Sequence, residues 1–319
     1  MSPSSLRSIE LQQILQSDSW NLHPFLPPVS AHQDDSLLQS IKRVGILHPP
    51  LLLHHSQENS YELLAGRARL HLHSELYPEQ PTIACMLLED TAAPLSILFH
   101  ILEDQKLSGP LSPMEKAFFF SYCLQHLSTE DAARHFLPAL GEKNQPQTIT
   151  RYIRLLELEP ELQRSVHSLK IAEKTAFELL LLSRSERLAL HTLFIQLGLG
   201  GGKQKRLLSL ARDLACRHGK TITELFSEKE LKDILTHPES NVPQKAAILF
   251  RFLQKQLFPN SEAAEEAFRK NVARIRLPGS CSIEHSQSFE TDEVSLRIRF
   301  SSLEDLVKRK EEIRGLGGN

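Results

Sequence analysis

STEDAARHFLPALGEKNQPQTITRYIRLLEL, residues 128–158, carries the reading on which the rest of the chain depends. Ser128 is a helix-capping residue, and Asp131 three positions on gives an acidic capping pattern. The short helix it opens sets Ala132, Ala133 and Phe136 on one face. Gly141 and Pro146 punctuate the next stretch, and a second helix starts near Gln147. Ile149, Ile153 and Leu156 form its inner side, with Gln147, Thr148, Thr150, Arg151 and Arg154 opposite. Small residues in one helix, a break, then a polar and basic second helix is the pattern of a helix-turn-helix. The second helix needs an apolar side to lie on the first and a donor-rich side for phosphates and base edges. Two amphipathic helices of an ordinary helical domain, their charges only a solvated face, would carry the same pattern. The link LPALGEKNQP exceeds the roughly 3–4 residues of such a turn. Either the first helix runs on through Leu140 or the turn carries an insertion.

A chain of 319 residues buries a large core and divides into two or three domains. The formal net charge is −2, so any nucleic-acid contact must come from a local patch. Cys85, Cys123, Cys216 and Cys281 lie far apart with no CxxC spacing, as expected of reduced, mostly buried thiols. His71 and His73 form an HxH pair, but no carboxylate or cysteine stands at ligand spacing, which speaks against zinc. The opening MSPSSLRSIELQQI lacks the basic-then-apolar pattern of a signal peptide, and no apolar run reaches bilayer length. The expectation is a soluble, intracellular protein without membrane contact.

Upstream, Ile9 and Leu11 suit a short edge strand, and HPFLPPVS an extended connector. From Ser36, LLQSIKRVG reads as a helix with Leu37, Leu38 and Ile41 inward and Gly45 at its end. ILHPPLLLHH is a strand, SQENS a hairpin turn and YELLAG the returning strand. RARLHLHSELY is a helix, and CMLLED a further strand after PEQPT. The order helix, strand, strand, helix, strand describes a small α/β domain. At its Ala65–Gly66–Arg67 junction a glycine permits close backbone approach, and the following helix start offers free N–H groups to an anion. Arg67 and Arg69 oppose the helix dipole there, which a bound anion would compensate. A plain left-handed turn with two solvated arginines is the alternative.

SIKRVGILHPPLLL, YELLAGRARLHLHSEL and CMLLED, followed by LSPMEKAFFF, the candidate helix-turn-helix and RYIRLLELEPELQ, resemble the ParB-like (ParB/RepB-type) partition protein family. The likeness covers about residues 5–195 in the family's order. It implies an α+β chain: a ParB-like N-terminal domain over 1–108 and a helix-turn-helix DNA-binding domain over 109–197. It also implies that the glycine turn holds the triphosphate of CTP. The family's Gly-Glu-Arg-Arg turn reads Gly66-Arg67-Ala68-Arg69 here, without the acidic residue and the middle arginine. Its second phosphate motif, Glu-Asn closely followed by an arginine, falls on ILEDQKLSGPLSPME. Glu103 and Asp104 are then candidate Mg²⁺ ligands, and Lys106 stands in for the arginine. These departures argue against efficient turnover of the nucleotide. The resemblance further implies a homodimer closing around double-stranded DNA, a Walker-type ATPase partner, and a cytoplasmic, nucleoid- or plasmid-associated protein.

SPMEKAFFFSYCLQH is an amphipathic helix with proline in its first turn, and ELQRSVHSL, IAEKTAFELLLL and SERLALHTLFIQL are further helices. GLGGG at 198–202 breaks the pattern and reads as a flexible connector. GLGGGK fails as a phosphate loop, having the wrong spacing, no Ser or Thr after the lysine and no preceding strand. Lys203, Lys205, Arg206, Arg212, Arg217 and Lys220 face one acid, Asp213, in a basic stretch suited to phosphates or to solvent. A helical region, 198–273, breaks at HPESNVPQ. Over 274–319, Val294, Leu296, Ile298 and Phe300 alternate with Arg297 and Arg299 as in a half-buried strand, ahead of a helix capped at Ser301 or Ser302. This module suits self-association or internal packing.

The leading expectation is a sequence-specific DNA-binding protein in partitioning or related transcriptional regulation, with a CTP-dependent clamp. Gln147, Thr148, Thr150 and Arg151 would reach base edges, and Lys143 and Arg154 phosphates. The nucleotide site would comprise Gly66, Arg67, Arg69, Glu103 and Asp104. One alternative is a nuclease or nucleotide-dependent enzyme using the same site, with Glu62 or Glu103 as its carboxylate. Another is a DNA-binding regulator whose nucleotide site has degenerated.

Overall fold

The computed structural model describes residues 5–16, 20–22, 36–107, 109–275, 281–285 and 294–308. The proline connector HPFLPPVS lies outside them, as does the end of the terminal helix. The protein is mixed α/β and forms two compact units, Met1–Lys205 and Arg206–Asn319.

The first unit is built on a five-stranded sheet of order β1-β5-β3-β4-β2. β1 (Ser5–Glu10) runs antiparallel to β5 (Thr82–Glu89), and β5 parallel to β3 (Leu51–His55). β3 and β4 (Ser60–Ala65) form the expected hairpin, with the short β2 (Ile14–Leu15) parallel to β4. β3 has a neighbour on each side, so Leu51, Leu52 and Leu53 are all buried and the strand reads as a continuous apolar run. In β5, Ile83, Cys85 and Leu87 alternate into a core shared with Ile9, Leu52, Tyr61 and Leu63. Leu11, expected on the edge strand, falls in a 3₁₀ turn after β1 and packs against that core.

α1 (Ser36–Val44) buries Ile41 and ends at Gly45, whose φ is +74°. α2 is Arg67–Leu76. α3 (Pro94–Lys106) has no counterpart in the sequence reading. It buries Ile97, Leu98, Ile101 and Leu102 at helical spacing, and it carries the stretch expected to hold phosphate. α4 (Pro113–His126) opens on a full capping box between Ser112 and Glu115, with Pro113 in its first turn. α5 (Thr129–Phe136), α6 (Pro146–Ile153), α7 (Pro160–His167), α8 (Glu173–Leu179) and α9 (Arg184–Gln196) follow. Cys85 and Cys123 are buried thiols, Cys85 pushed up to about 12 by burial, whereas Cys216 is exposed, against expectation, and Cys281 half-buried.

The GLGGG run is a packed junction, not the flexible connector expected. Gly198, at φ +54°, ends α9, and α10 (Gly201–His218) begins within the run itself. A Cβ on Gly201 would stand 2.8 Å from the Ala172 Cβ, so only glycine fits. Gln204, 1 % exposed, then accepts from the Ala172 N–H and donates to the Lys170 and Leu199 carbonyls. All three bonds replace water that the buried amide has lost.

The second unit continues with α11 (Ile222–Phe226), α12 (Lys229–Thr236), α13 (Val242–Leu257) and α14 (Pro259–Ile275). The break at HPESNVPQ is confirmed: α12 ends at Thr236, and Asn241 caps α13. β6 (Cys281–His285) pairs antiparallel with β7 (Val294–Ile298), and α15 (Leu303–Lys308) follows. The half-buried pattern expected around β7 is observed only at its end, where Ile298 and Phe300 are half-buried and Arg297 and Arg299 exposed. Val294 is 59 % and Leu296 46 % exposed, since the two-stranded hairpin gives these side chains one neighbouring strand and, among the described residues, no covering layer. Among the described residues no helix is long and apolar enough to cross a membrane.

Candidate nucleic-acid and nucleotide sites

Ser128 caps α5 by accepting from the Asp131 N–H, as its sequence demands. α5 stops at Phe136, a 3₁₀ turn covers Pro138–Leu140, and Gly141 turns the chain at φ +73°. The connection to α6 is therefore an elongated turn, the insertion alternative. α6 lies on α4 and α5 through Ile149 and Tyr152, with Leu155 just beyond in a 3₁₀ turn, all fully buried. This corrects the expected inner face: Ile153 and Leu156 are only half-buried. A spacing of three residues, with Tyr152 as its middle member, points at the core.

Tyr152 holds the long turn in place. Its ring stacks on Phe120 at 6.0 Å, and its hydroxyl donates to Glu142 at 2.7 Å and approaches Glu173 at 3.2 Å. Lys116 of α4 pairs with the same Glu142 oxygen at 2.6 Å. Burial, followed by the Glu142 hydrogen bond, pushes the phenol up, so it remains a donor. Burial would also raise the Glu142 carboxyl, but bonds from Lys116 and Tyr152 outweigh it and hold the group below the usual carboxylate range.

With this underside fixed, Gln147, Thr150, Arg151 and Arg154 stand exposed on the other side, Thr148 is half-buried, and Lys143 is exposed in the turn. The Arg151 guanidinium rests 4.4 Å from the Phe177 ring centroid, and Arg154 lies 3.5 Å from Glu157. The face combines two guanidiniums with amide and hydroxyl groups, the donor set suited to phosphates and base edges. The downstream basic stretch is more committed. Arg206 covers Phe250 at 5.3 Å, Arg217 donates to the Leu257 carbonyl, and Lys220 pairs with Glu228 at 2.7 Å.

At the second site, Gly66 adopts φ +93° at the start of α2. A Cβ there would lie 3.0 Å from both the Pro50 Cα and the Arg69 Nη2, so the glycine makes room for Arg69 itself. The Arg69 guanidinium donates to the His48 carbonyl at 2.7 Å and to both Asp104 oxygens at 2.7 and 2.6 Å. Arg67 and Gly66 line a small cleft with Trp20, Asn21, Leu22 and Gln105. Trp20 stacks on His126 at 5.7 Å, and the Tyr122 hydroxyl donates to the Asn21 carbonyl.

The structure thus brings together Gly66, Arg69 and Asp104, with Arg67 at the same turn. Glu103, one residue from Asp104, is exposed and held by Lys106 at 2.9 Å. With Asp104 on Arg69 and Glu103 on Lys106, both proposed Mg²⁺ carboxylates are engaged by cations. Among the described residues no group of three His, Cys, Asp or Glu side chains could hold a metal ion. His71 pairs with Glu75 and the buried His73 with the Thr82 carbonyl, so the HxH pair is divided. Glu62 pairs with His55 at 3.2 Å. Trp20, Asn21 and Gln105 join the site without a counterpart in the sequence reading. Gln105 is within reach of the helical spacing of 97–102, whereas no local pattern marks Trp20 or Asn21.

No protein-family model matches the chain. A probable chromosome-partitioning protein ParB of Chlamydia muridarum is 29 % identical over 157 residues, 47 % of this chain and 53 % of that protein. A nucleoid occlusion protein of Oceanobacillus iheyensis is 28 % identical over 180 residues, 55 % of this chain and 60 % of that protein. The chain thus spans between half and three fifths of these relatives' length. Among solved structures, the C-terminally truncated ParB of Caulobacter crescentus complexed to the centromeric parS site is 16 % identical, at a TM-score of 0.35 over 64 % of this chain and 98 % of that one. A Pnob8-like ParB-N domain is 11 % identical, at 0.37 over 79 % and 98 %. The sequence relatives carry the likeness: over about half its length the chain is similar to ParB-like proteins.

Proposed function

We propose that this chain is a sequence-specific DNA-binding protein acting in chromosome or plasmid partitioning, or in a related role such as nucleoid occlusion or transcriptional regulation. The observation that carries the reading is the exposed Gln147, Thr150, Arg151 and Arg154 face of the α6 region, on an underside locked by Tyr152. Thr148 joins the base-reading set, and Lys143 and Arg154 take phosphates. Selection of bound fragments from a genomic library, followed by footprinting, tests it. A discrete protected site is expected, and uniform binding to all sequences refutes specificity.

The reading includes a nucleotide site at Gly66, Arg67 and Arg69, with CTP as the nucleotide that the ParB-like turn implies. The cleft beside that turn, with an aromatic, two amides and a guanidinium in its wall, supports it. Mg²⁺ has no cage of protein ligands among the described residues, and no step is assigned to it. The chain works as a homodimer in this proposal, and the uncovered Val294 and Leu296 of the hairpin support self-association. Such a protein belongs in the cytoplasm with the nucleoid or a plasmid, served by a Walker-type ATPase. The four-part division 1–108, 109–197, 198–273 and 274–319 belongs to the same proposal. Calorimetric titration with CTP, ATP and GTP tests the nucleotide arm: saturable binding of CTP alone is expected. No binding leaves a DNA-binding regulator with a degenerate site.

A further inference from the structure

The anion site at the Gly66 turn already contains an anion, supplied by the chain. Arg69 points both its terminal nitrogens at fixed acceptors, the His48 carbonyl and the Asp104 carboxylate. Neither partner is solvent-loosened: the Arg69 side chain is 14 % and the Asp104 side chain 16 % exposed. The guanidinium lies directly over Gly66, where a Cβ would come to 3.1 Å of its Cζ. The opening that the glycine makes in the backbone is therefore occupied by Arg69 and, through it, by Asp104.

We propose that Asp104 is a built-in competitor that keeps this turn closed to phosphate, and that an incoming phosphate group must displace it from Arg69. The inference rests on the nucleotide reading above. A carboxylate and a phosphate both offer anionic oxygens to a guanidinium, so they compete for Arg69 Nη2, the terminal nitrogen that holds both Asp104 oxygens. The two anions also repel each other, so a phosphate cannot simply join the pair. Asp104 sits in the last turn of α3, next to Gln105, which lines the cleft. α3 packs on both β4 and α4. Displacing Asp104 therefore frees the end of the helix that runs between the sheet and the first helix of the DNA-binding part. The device couples phosphate occupancy to that joint.

Calorimetry on the full chain tests it, with inorganic triphosphate and CTP as probes against wild type, Asp104→Asn and the Arg69→Ala/Asp104→Asn double variant. Asp104→Asn should bind triphosphate at least tenfold more tightly than wild type, and the double variant should lose that gain. Equal or weaker binding by a folded Asp104→Asn overturns the proposal. Should that variant not fold, the wild type answers through the ¹⁵N signals of the Arg69 guanidinium. They should shift as CTP saturates, and unchanged signals at saturation overturn the displacement. Binding of CTP by wild type without either effect sinks this inference alone. No binding of either probe to any of the chains sinks the nucleotide reading with it.

Discussion

Replacing Tyr152 by phenylalanine removes one oxygen from the middle of the helix-turn-helix and leaves its ring contacts with Phe120 and Phe177 in place. The hydroxyl is fully buried and donates to Glu142 at 2.7 Å, with Glu173 and Lys116 each at 3.2 Å. A hydrogen bond to a charged partner is worth about 1.5–3 kcal/mol. Glu142 keeps Lys116 and is not orphaned, and we expect a loss of about 2 kcal/mol. For a unit of this size that is a fall of about 4–8 °C in the thermal midpoint. The sign of the pH dependence follows from Glu142, whose folded pKa lies below its ordinary 4.5. The unfolded chain takes up that proton first on acidification. The stabilisation is therefore complete above 4.5 and lost as pH falls through the lowered value. The gap between wild type and Tyr152→Phe should narrow over the same window. Calorimetric unfolding at neutral and acid pH measures both quantities. A variant within about 0.5 kcal/mol of wild type at pH 7, the scale of a neutral surface change, refutes the claim that this network holds the turn.

Four further outcomes are expected. Gly201→Ala gains about 1 kcal/mol of helix propensity but meets Ala172 at 2.8 Å, and overpacking costs about 1–3 kcal/mol; urea unfolding should show a net loss, and a stabilised variant would refute the packed junction. Gly66→Leu faces φ +93° and the Arg69 guanidinium, so it should lose about 1–2 kcal/mol from backbone strain alone together with nucleotide binding; unchanged affinity removes the turn from the site. Arg151→Ala should cost about 1–3 kcal/mol on the specific DNA site, whereas an equal loss on every sequence makes it a phosphate contact. Burial lowers the His191 pKa from its ordinary 6.5, against a smaller opposing pull from Glu161; stability should therefore decline as pH falls below 6.5, and a His191→Gln variant with the same slope would assign that decline elsewhere.

The elements legible in the sequence are those whose signals are local. Ser128, Pro113 and Gly66 each mark a helix start within four residues, and the β3–β4 hairpin is bounded by its own turn. α3 is hidden because ILEDQK reads as a phosphate motif, although Ile97, Leu98, Ile101 and Leu102 show the helical period. The inner face of α6 misleads for a chemical reason. Tyr152 carries a polar atom and does not count as an inward residue, yet Glu142 satisfies that atom inside the core. The GLGGG run misleads in the opposite direction. A glycine that releases the backbone and one that admits a neighbour's Cβ look identical until Ala172 is placed beside it.

The pairing of Arg69 with Asp104 is beyond local reading altogether, since 35 positions separate the two residues. It bears on how the two proposed sites would communicate. Coupling between sites requires an element with two arrangements that both sites bias. Under the proposed displacement the last turn of α3 would meet the first half of that requirement, with Asp104 held by Arg69 or released from it. The second half lies in the cleft wall, because Trp20 stacks on His126 and Asn21 accepts from Tyr122. Both partners belong to α4, the helix against which α6 buries Ile149 and Tyr152. A phosphate compound entering beside Gly66 would thus meet, on one side, the carboxylate near the end of α3 and, on the other, a segment fastened to the support of α6, the helix proposed to read DNA. The path from one site to the other is a single helix long.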